Sequence, residues 1–472
     1  MFELKVREEE KDGFIYKIMQ MDLGDKKEEI YIKLPISEKE YLTDMYDPYV
    51  VFNIFKMMSI GGDCYIRGKV SKSLLDNLEM FVNCWKIWLP NKCKDIRIIA
   101  DEEIDEPVKL NNDAIMCFSG GLDSVTTLYR HYKGLAGRNN RNIKKALVVS
   151  GGREPISTIK EMQEIRSKRI ETMINDIGVD LIYVDHNLYE TETIFWNLET
   201  FLPTYIGLMM LYQDVYNNLI IASDQFINYK SMSFKHRGSN PVTNKLLQSN
   251  RFRLITDGEF ITRVDKINTI KKWNIGLYNL LACDAPLMDN NKSCGVCHKC
   301  LFTKLDFKFS DVDVDLNLLY DNPSTNLDEY EIIGDNHIFY EEILYYDKYN
   351  KKILDEETRL KIKDLIEENR NPRYRAKISE LENANKELSK RINELEESAK
   401  DIAKKIPIKK WRESFKAKFK VRSDQIRSDQ IRSDQIRSDQ IRSDQIAICK
   451  EYILFYNNSK TKKLQLVLRN IA

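Results

Sequence analysis

Between residues 113 and 223, apolar segments of strand length alternate with segments of helix length, and this alternation constrains the fold more than any other feature of the chain. Strands are predicted at residues 114–118, 145–150, 179–185 and 219–223, with helices at 123–132, 156–177 and up to about residue 216. Strands and helices that alternate in this way build parallel βαβ units. We therefore predict an α/β fold with a doubly wound parallel sheet, whose ligands bind at the carboxyl ends of the strands.

Composition and charge exclude several classes of protein. Of the 472 residues, 42% are hydrophobic and 31% are charged, which is enough apolar material for a core and excludes wholesale disorder. The 74 Lys and Arg residues balance 73 Asp and Glu residues, so no global positive field attracts nucleic acid. The longest apolar stretch, near residues 201–211, is shorter than the roughly 20 residues that cross a bilayer, and the N-terminus lacks a signal-peptide pattern. We expect a cytoplasmic protein.

Changes in composition and periodicity divide the chain into regions. The predicted regions are a small N-terminal α/β or α+β domain (1–108), a nucleotide-binding domain with a cysteine module at 283–300 (109–310), an acidic, tyrosine-rich connecting region (311–372), a coiled coil (373–405), a basic amphipathic helix (406–421), a spacer of five RSDQI repeats (422–446) and a tail (447–472).

The C-terminal segments suggest assembly and surface contact. Positions spaced by three and four from Ile378 to Ile402 are apolar except for Asn385, and they predict a parallel homodimeric coiled coil. The alternative is one amphipathic helix packed on its own domain. Residues 404–422 carry nine basic side chains and one acidic one. A helix of this kind suits the inner face of an anionic membrane. The alternatives are an anionic partner or nucleic acid, and docking on the protein itself.

The segment Ser119-Gly120-Gly121-Leu122-Asp123-Ser124 lies between the first predicted strand and its helix. Its glycines let the backbone approach an anion, and the loop amides, the two serine hydroxyls and the helix N-terminus supply donors. Asp123 is a candidate ligand for magnesium. A Gly-Gly pair alone would indicate only a tight turn, whereas the full set of residues in this context predicts a phosphate-binding loop.

Four of the nine cysteines fall within 18 positions: Cys283, Cys294, Cys297 and Cys300. Their spacing suits a closed tetrahedral zinc site, which is structural because no coordination position stays open. Chance clustering and an iron–sulfur centre are the alternatives. His298 lies between the ligands and is interpreted as a surface residue.

The loop resembles the SGGxDS signature of the PP-loop, or N-type, ATP pyrophosphatase superfamily, which shares the adenine nucleotide alpha hydrolase-like fold. The resemblance implies that Ser119, Gly120, Gly121, Leu122, Asp123 and Ser124 bind the pyrophosphate of ATP. With the later cysteine module, the chain is similar over residues 112–306 to the 7-cyano-7-deazaguanine synthase-like (queuosine synthase-like) branch, including members with an extra N-terminal domain. Ser150 and Gly151, after the second strand, are further predicted nucleotide-binding residues, although this segment does not match the synthase's substrate loop.

Two cations and one carboxylate complete the predicted site. Arg263 and Lys266 are three residues apart near a helix start, so both can face the phosphates; a surface salt-bridge pair is the alternative. Asp224, just past the fourth strand, is a candidate for magnesium or substrate, with a helix cap as its alternative.

These features favour an ATP-dependent carbon–nitrogen ligase that requires ATP, Mg²⁺ and Zn²⁺. It would adenylate a carboxylate or amide of a small molecule or a glycan-linked acid, release pyrophosphate, and form an amide or nitrile with ammonia or an amine. One alternative is a PP-loop enzyme that modifies a tRNA base or a protein, or transfers sulfur; near-zero net charge makes nucleic acid the less favoured partner. Another is a non-catalytic coiled-coil scaffold at a membrane.

Overall fold

A single mixed β-sheet organises the fold. The computed structural model of the protein describes residues 1–24, 26–105, 111–150, 156–191, 197–227, 238–282, 292–327, 337–350 and 354–370. Within these residues ten strands form one sheet: β1 (Phe2–Lys11), β2 (Phe14–Asp22), β3 (Lys27–Pro35), β4 (Gly62–Ser71), β5 (Ile96–Ile104), β6 (Asp113–Cys117), β7 (Asn142–Ser150), β8 (Asp180–His186), β9 (Asn218–Ala222) and β10 (Arg253–Asp257).

Five of these strands form one parallel set, which contains the four predicted strands as β6 to β9 and adds β10, a strand that the sequence does not predict. Their spatial order is β10-β9-β6-β7-β8, and every neighbouring pair among them is parallel. The chain runs outward from β6 through β7 to β8 and then returns to the other side of β6 with β9 and β10. The strand order therefore reverses between β6 and β9, which is the topological switch point of a doubly wound sheet. The predicted α/β class and largely parallel central sheet are confirmed.

Helices cover both faces of these parallel strands. The described helices are α1 (Asp47–Phe52), α2 (Ile54–Ile60), α3 (Lys72–Trp88), α4 (Leu122–Tyr132), α5 (Ile156–Ile177), α6 (Asn197–Met210), α7 (Arg263–Ile270), α8 (Asn274–Tyr278), α9 (His298–Phe309), α10 (His337–Tyr349) and α11 (Glu356–Arg370). Ile115 of β6 belongs to the core that contains side chains of α1, α2, α3 and α6, whereas Ala114 and Met116 belong to the core that contains side chains of α4, α5 and α7. Because alternate residues of a strand point to opposite faces, a strand covered on both sides is apolar throughout.

The N-terminal strands continue the same sheet. β3 pairs antiparallel with β8, with Ile32 opposite His186, and the order then runs β2-β1-β4-β5. On β3 the side chains of Ile30, Ile32 and Leu34 are buried, and those between them are more exposed. This alternation is typical of a sheet covered on one face. The sequence predicts a small N-terminal domain here but not the continuity of its strands with the parallel set, and the domain boundaries stay predictions.

A third core joins α9 to α10 and α11. Phe302 and Leu305 of α9 pack with Tyr340, Ile343 and Ile362. Both partner helices fall in the region 311–372 that the sequence treats as a connector. Across the described part of the chain, no helix combines the length and the apolar character that a membrane crossing requires. The predicted coiled coil, basic helix, repeats and tail lie outside the described residues.

A substitution at Gly207 of α6 tests the close packing of α1 on α6. A Cβ at this position would lie 2.7 Å from the carbonyl oxygen of Pro48 and 2.7 Å from Cβ of Phe52. Because backbone atoms cannot yield as a flexible side chain can, we expect Gly207→Ala to lower the free energy of unfolding by about 1–3 kcal/mol, even though alanine favours a helix by about 1 kcal/mol. Urea denaturation measures this change, and an equal or higher stability of the variant would contradict the close contact.

Candidate functional site

The loop between β6 and α4 lies at the switch point of the sheet. β6 ends at Cys117, and α4 begins at Leu122, whose side chain is buried. The intervening residues pass from the carboxyl edge of the sheet to the N-terminus of α4. Ligands of open α/β sheets bind at this edge, and a helix N-terminus there favours an anion.

The two serines of this loop hold it closed. The Ser124 hydroxyl donates to the Gly121 carbonyl at 3.0 Å and accepts from the Ser119 amide at 3.2 Å. The Ser119 hydroxyl lies 3.2 Å from the Ser124 hydroxyl and accepts from the Gly121 amide at 3.3 Å. The two serine hydroxyls, which the sequence predicts as phosphate donors, thus hydrogen-bond within the loop. A phosphate that bound these hydroxyls would replace some of those hydrogen bonds.

Gly120 is required by its backbone conformation. Its φ is +73°, in the region that side-chain-bearing residues rarely adopt. Leu281 packs against it: the Leu281 amide donates to the Gly120 carbonyl at 2.9 Å, and a Cβ at residue 120 would lie 2.8 Å from Cδ1 of Leu281, the flexible end of that side chain. Gly121, in contrast, has an ordinary extended conformation as the N-cap residue of α4.

Asp123 in the first turn of α4 is held by two cations from α7. Lys266 Nζ lies 2.6 Å from Asp123 Oδ1, and Arg263 Nη1 lies 3.2 Å from Oδ2. Arg263 and Lys266 are 9% and 2% exposed, so they do not form the surface pair that was the alternative from sequence. The i, i+3 spacing brings both to one face of α7, where they contact Asp123; their contact with phosphates stays a prediction.

Further contacts fix the two cations from α9, α10 and β9. Arg263 donates through Nε to Asp306 Oδ2 at 2.8 Å and through Nη2 to Thr303 Oγ1 at 3.1 Å, and its backbone amide donates to Glu342. Lys266 donates to the Ser223 carbonyl, just past β9, at 2.8 Å. Sequence reasoning missed Thr303, Asp306 and Glu342, because they lie 40 to 79 positions from Arg263 and no local motif marks them.

Burial and charge shift the carboxyl groups of this cluster in different directions. Burial alone would raise the pKa of Asp123, but the charges of Lys266 and Arg263 outweigh burial and lower that pKa. Burial, assisted by the charge of Asp306, raises the pKa of Glu342 to about 8. Burial also raises the pKa of Asp306 to about 6, against the opposing charge of Arg263. At neutral pH two carboxylates therefore balance two cations, and Glu342 holds a proton.

The other predicted site residues are placed less completely. Ser150 ends β7, and Asp224 follows β9 as a half-buried residue next to the carbonyl that Lys266 contacts. Gly151 lies outside the described residues. Their roles in nucleotide or magnesium binding stay predictions.

Three of the four predicted metal ligands come together at the start of α9. The Sγ atoms of Cys294, Cys297 and Cys300 all lie within 4.8 Å of one another, and those of Cys294 and Cys300 are 3.8 Å apart. Thiolates bound at about 2.3 Å to a tetrahedral zinc ion would be about 3.8 Å apart. None of the three forms a disulfide. The three thiols therefore fit a metal ion, while Cys283 lies outside the described residues.

A buried lysine holds the thiol cluster in place. Lys304 of α9 is 0% exposed and donates to the Gly295 carbonyl at 2.7 Å, to the Asn322 carbonyl at 2.9 Å and to the Ser324 carbonyl. Gly295 has φ +71°, and a Cβ there would lie 2.1 Å from the Asn322 oxygen. The turn that carries the cysteines is thus packed on both α9 and residues 322–324. His298, between the ligands, is exposed.

Searches of protein-family models, curated proteins and solved structures find no match to this chain.

The raised pKa of Glu342 predicts a pH-dependent stability difference. Its pKa rises from 4.5 to about 8 on folding, so the folded state retains a proton that the unfolded state has lost, and wild-type stability should decline across this range. Glu342→Gln keeps an oxygen that can accept from the Arg263 amide and cannot ionise. Its stability relative to wild type should therefore increase as the pH rises towards 8 and then level off.

Thermal denaturation at a series of pH values measures this difference. The control is Glu367→Gln, an exposed position on α11, which should leave the pH dependence of stability unchanged. A difference between Glu342→Gln and wild type that is the same at every pH would show that this carboxyl does not retain its proton.

Metal analysis tests the thiol cluster. Full-length protein should bind zinc in a one-to-one ratio, and Cys297→Ser should release zinc to a chromogenic chelator much faster, because the remaining thiols cannot enclose the ion. Cys84→Ser on α3 is the control, since this cysteine lies outside the cluster. Equal zinc content and release in all three proteins would argue against a site at these residues.

Proposed function

We propose that this protein is an ATP-dependent carbon–nitrogen ligase of the PP-loop type. The observation that carries the proposal is the placement of the SGGLDS loop at the switch point of a parallel sheet, with its aspartate held by two buried cations. Such a site combines backbone donors, a helix N-terminus and fixed positive charge where a polyphosphate would bind.

The proposed reaction has two steps. A carboxylate oxygen of the substrate attacks the α-phosphorus of ATP, and pyrophosphate leaves. The nitrogen of ammonia or an amine then attacks the activated carbonyl carbon, AMP leaves, and the nitrogen loses a proton. An amide substrate would be activated through its oxygen in the same way; its nitrogen then loses both protons, AMP leaves with the oxygen, and a nitrile forms. The protein contributes chiefly positioning and stabilisation of the charge that develops on the departing pyrophosphate.

Lys266 is the better placed of the two cations to contact pyrophosphate. An ammonium group has three donors, and among the described residues Nζ makes two hydrogen bonds, to Asp123 and to the Ser223 carbonyl. Although a guanidinium has five N–H donors, each nitrogen of Arg263 already donates to a side chain of α4 or α9, so these partners fix the position of the group. We therefore assign Lys266 a direct contact and Arg263 the task of holding Asp123. Magnesium, when bound, would screen the phosphates, with Asp123 and Asp224 as its candidate ligands.

Zinc is the proposed occupant of the thiol cluster, with Cys283 as its fourth ligand. A shell of four thiolates leaves no open position, so the ion would act structurally. Zinc takes no step of the reaction in this proposal.

Sulfur transfer is less favoured by the environment of Cys117. This cysteine is nearest in sequence to the loop, but burial raises the pKa of its thiol, which keeps it protonated and poorly nucleophilic. A carbon–nitrogen ligase needs no such cysteine.

Turnover of ATP tests the proposed reaction. Purified full-length protein with ATP, Mg²⁺ and a small-molecule extract should form AMP and pyrophosphate. Lys266→Met should lower this rate at least about 100-fold, because one lost donor to developing charge costs that much in other enzymes. Lys271→Met, an exposed lysine just past α7, is the matched control. Formation of ADP and phosphate would contradict the proposed chemistry, and no turnover with any extract would favour the scaffold alternative.

The acyl substrate can be identified from cells in which the native protein is replaced by Asp123→Ala. Untargeted mass spectrometry of small molecules and glycans should reveal an accumulated acid that differs from a missing amide by a hydroxyl in place of an amino group. Accumulation of an unmodified tRNA base or protein would favour the macromolecular alternative.

A further inference from the structure

The thiol cluster and the phosphate loop are connected by one side of α9. Cys297 is the N-cap residue of this helix, and Cys300 lies in its first turn. Thr303 and Asp306 follow at successive intervals of three residues, so each lies beside the previous one along the helix. Cys300, Thr303 and Asp306 are all buried, at 0%, 2% and 2% exposure. The helix therefore presents a metal-ligand candidate and two polar groups to the protein interior.

Arg263 bridges α9 and the phosphate loop. Nε and Nη2 contact Asp306 and Thr303 on α9 at 2.8 Å and 3.1 Å, while Nη1 contacts Asp123 at 3.2 Å. A guanidinium is planar and rigid, so fixing two of its nitrogens fixes the direction of the third. Any displacement of α9 consequently moves the charge that holds Asp123.

The start of α9 is in turn tied to the cysteine turn. Lys304 clamps the Gly295 carbonyl to the helix, and the thiols of Cys294 and Cys300 are only 3.8 Å apart. Two thiols at this separation can share an S–H···S contact, whereas the thiolates that hold a metal ion repel one another unless the cation lies between them. A bound metal ion would therefore fix the spacing of the cysteines and the position of the start of α9, and its loss would remove this restraint.

We propose that metal binding at Cys294, Cys297 and Cys300 is thermodynamically coupled to nucleotide binding at the phosphate loop, through α9 and Arg263. Thr303 and Asp306 are positioning residues in this coupling. The inference rests on the proposed function and adds a dependence of that site on the metal. Because coupling between two ligands is reciprocal, the metal should tighten nucleotide binding by the same factor by which nucleotide tightens metal binding, on the order of tenfold.

A purely structural metal makes a different prediction. It would keep the cysteine turn folded, and metal loss would weaken nucleotide binding by unfolding alone. Removing the hydroxyl of Thr303 or the charge of Asp306 while the metal stays bound would then leave the response of the metal site to nucleotide unchanged. The two cases therefore differ in variants that retain all cysteines.

The experiment uses full-length protein loaded with Co²⁺, whose thiolate absorption bands report the geometry of the cluster. A non-hydrolysable ATP analogue with Mg²⁺ should change these bands in wild type and raise the Co²⁺ affinity, which is measured against a competing chelator. Calorimetry separately gives the factor by which metal raises the nucleotide affinity, and the two factors should be about equal. Thr303→Val and Asp306→Asn should retain Co²⁺ but lose most of both responses. Thr269→Val is the matched control, since its hydroxyl makes the same kind of bond to a carbonyl four residues earlier, on α7.

The outcomes separate the two proposals. Nucleotide binding to the wild-type protein with equal affinity in the presence and absence of metal would overturn the coupling and leave the proposed function standing. The coupling would also be overturned if nucleotide changed the Co²⁺ bands and the Co²⁺ affinity of Thr303→Val and Asp306→Asn as much as those of wild type. This holds even if metal-depleted protein unfolds. A metal-loaded wild type that binds no nucleotide would remove the proposed function and the coupling together.

Discussion

The ion-pair cluster around Asp123 is the constraint on which the candidate site depends. Taking charged groups out of water is costly unless each is paired and hydrogen-bonded. Here Arg263 and Lys266 are almost fully buried; the guanidinium finds its partners on α4 and α9, and the ammonium finds its partners on α4 and just past β9. Segments distant in sequence must therefore assemble correctly before both cations are satisfied, which makes the cluster a strong determinant of the local arrangement.

The sheet explains why this cluster lies beside the loop. The strand order reverses between β6 and β9, and the segments that follow their carboxyl ends lie on the two sides of this switch point: Ser119–Ser124 after β6, and Ser223 and Asp224 after β9. Lys266 joins these two segments by contacting both Asp123 and the Ser223 carbonyl. The N-terminal strands reach the opposite side of the parallel set through β3 and β8, so they extend the sheet without entering the switch point.

The region after the cysteine module also contributes to the site. α10 supplies Glu342, a carboxyl that retains its proton near neutral pH and accepts from the first backbone amide of α7. A helix N-terminus normally favours an anion, and an uncharged carboxyl satisfies the amide without adding a third negative charge to the cluster. This assignment gives α10 a role in the electrostatics of the site, beyond its packing against α9.

Local patterns in the sequence determined the elements and the motifs. The alternation of apolar segments predicts β6 to β9 and α5 closely. β6 and β9 are buried at most positions and are therefore apolar runs, and helical periodicity marks the helix. The glycines of the loop and the close spacing of Cys294, Cys297 and Cys300 are likewise local requirements. Only the tertiary structure decided that β3 joins β8, that Asp123 meets Arg263 and Lys266, and that Thr303, Asp306 and Glu342 complete the cluster. These pairings depend on which surfaces meet after the chain has folded, and a single charged residue in a sequence carries no information about its distant partner.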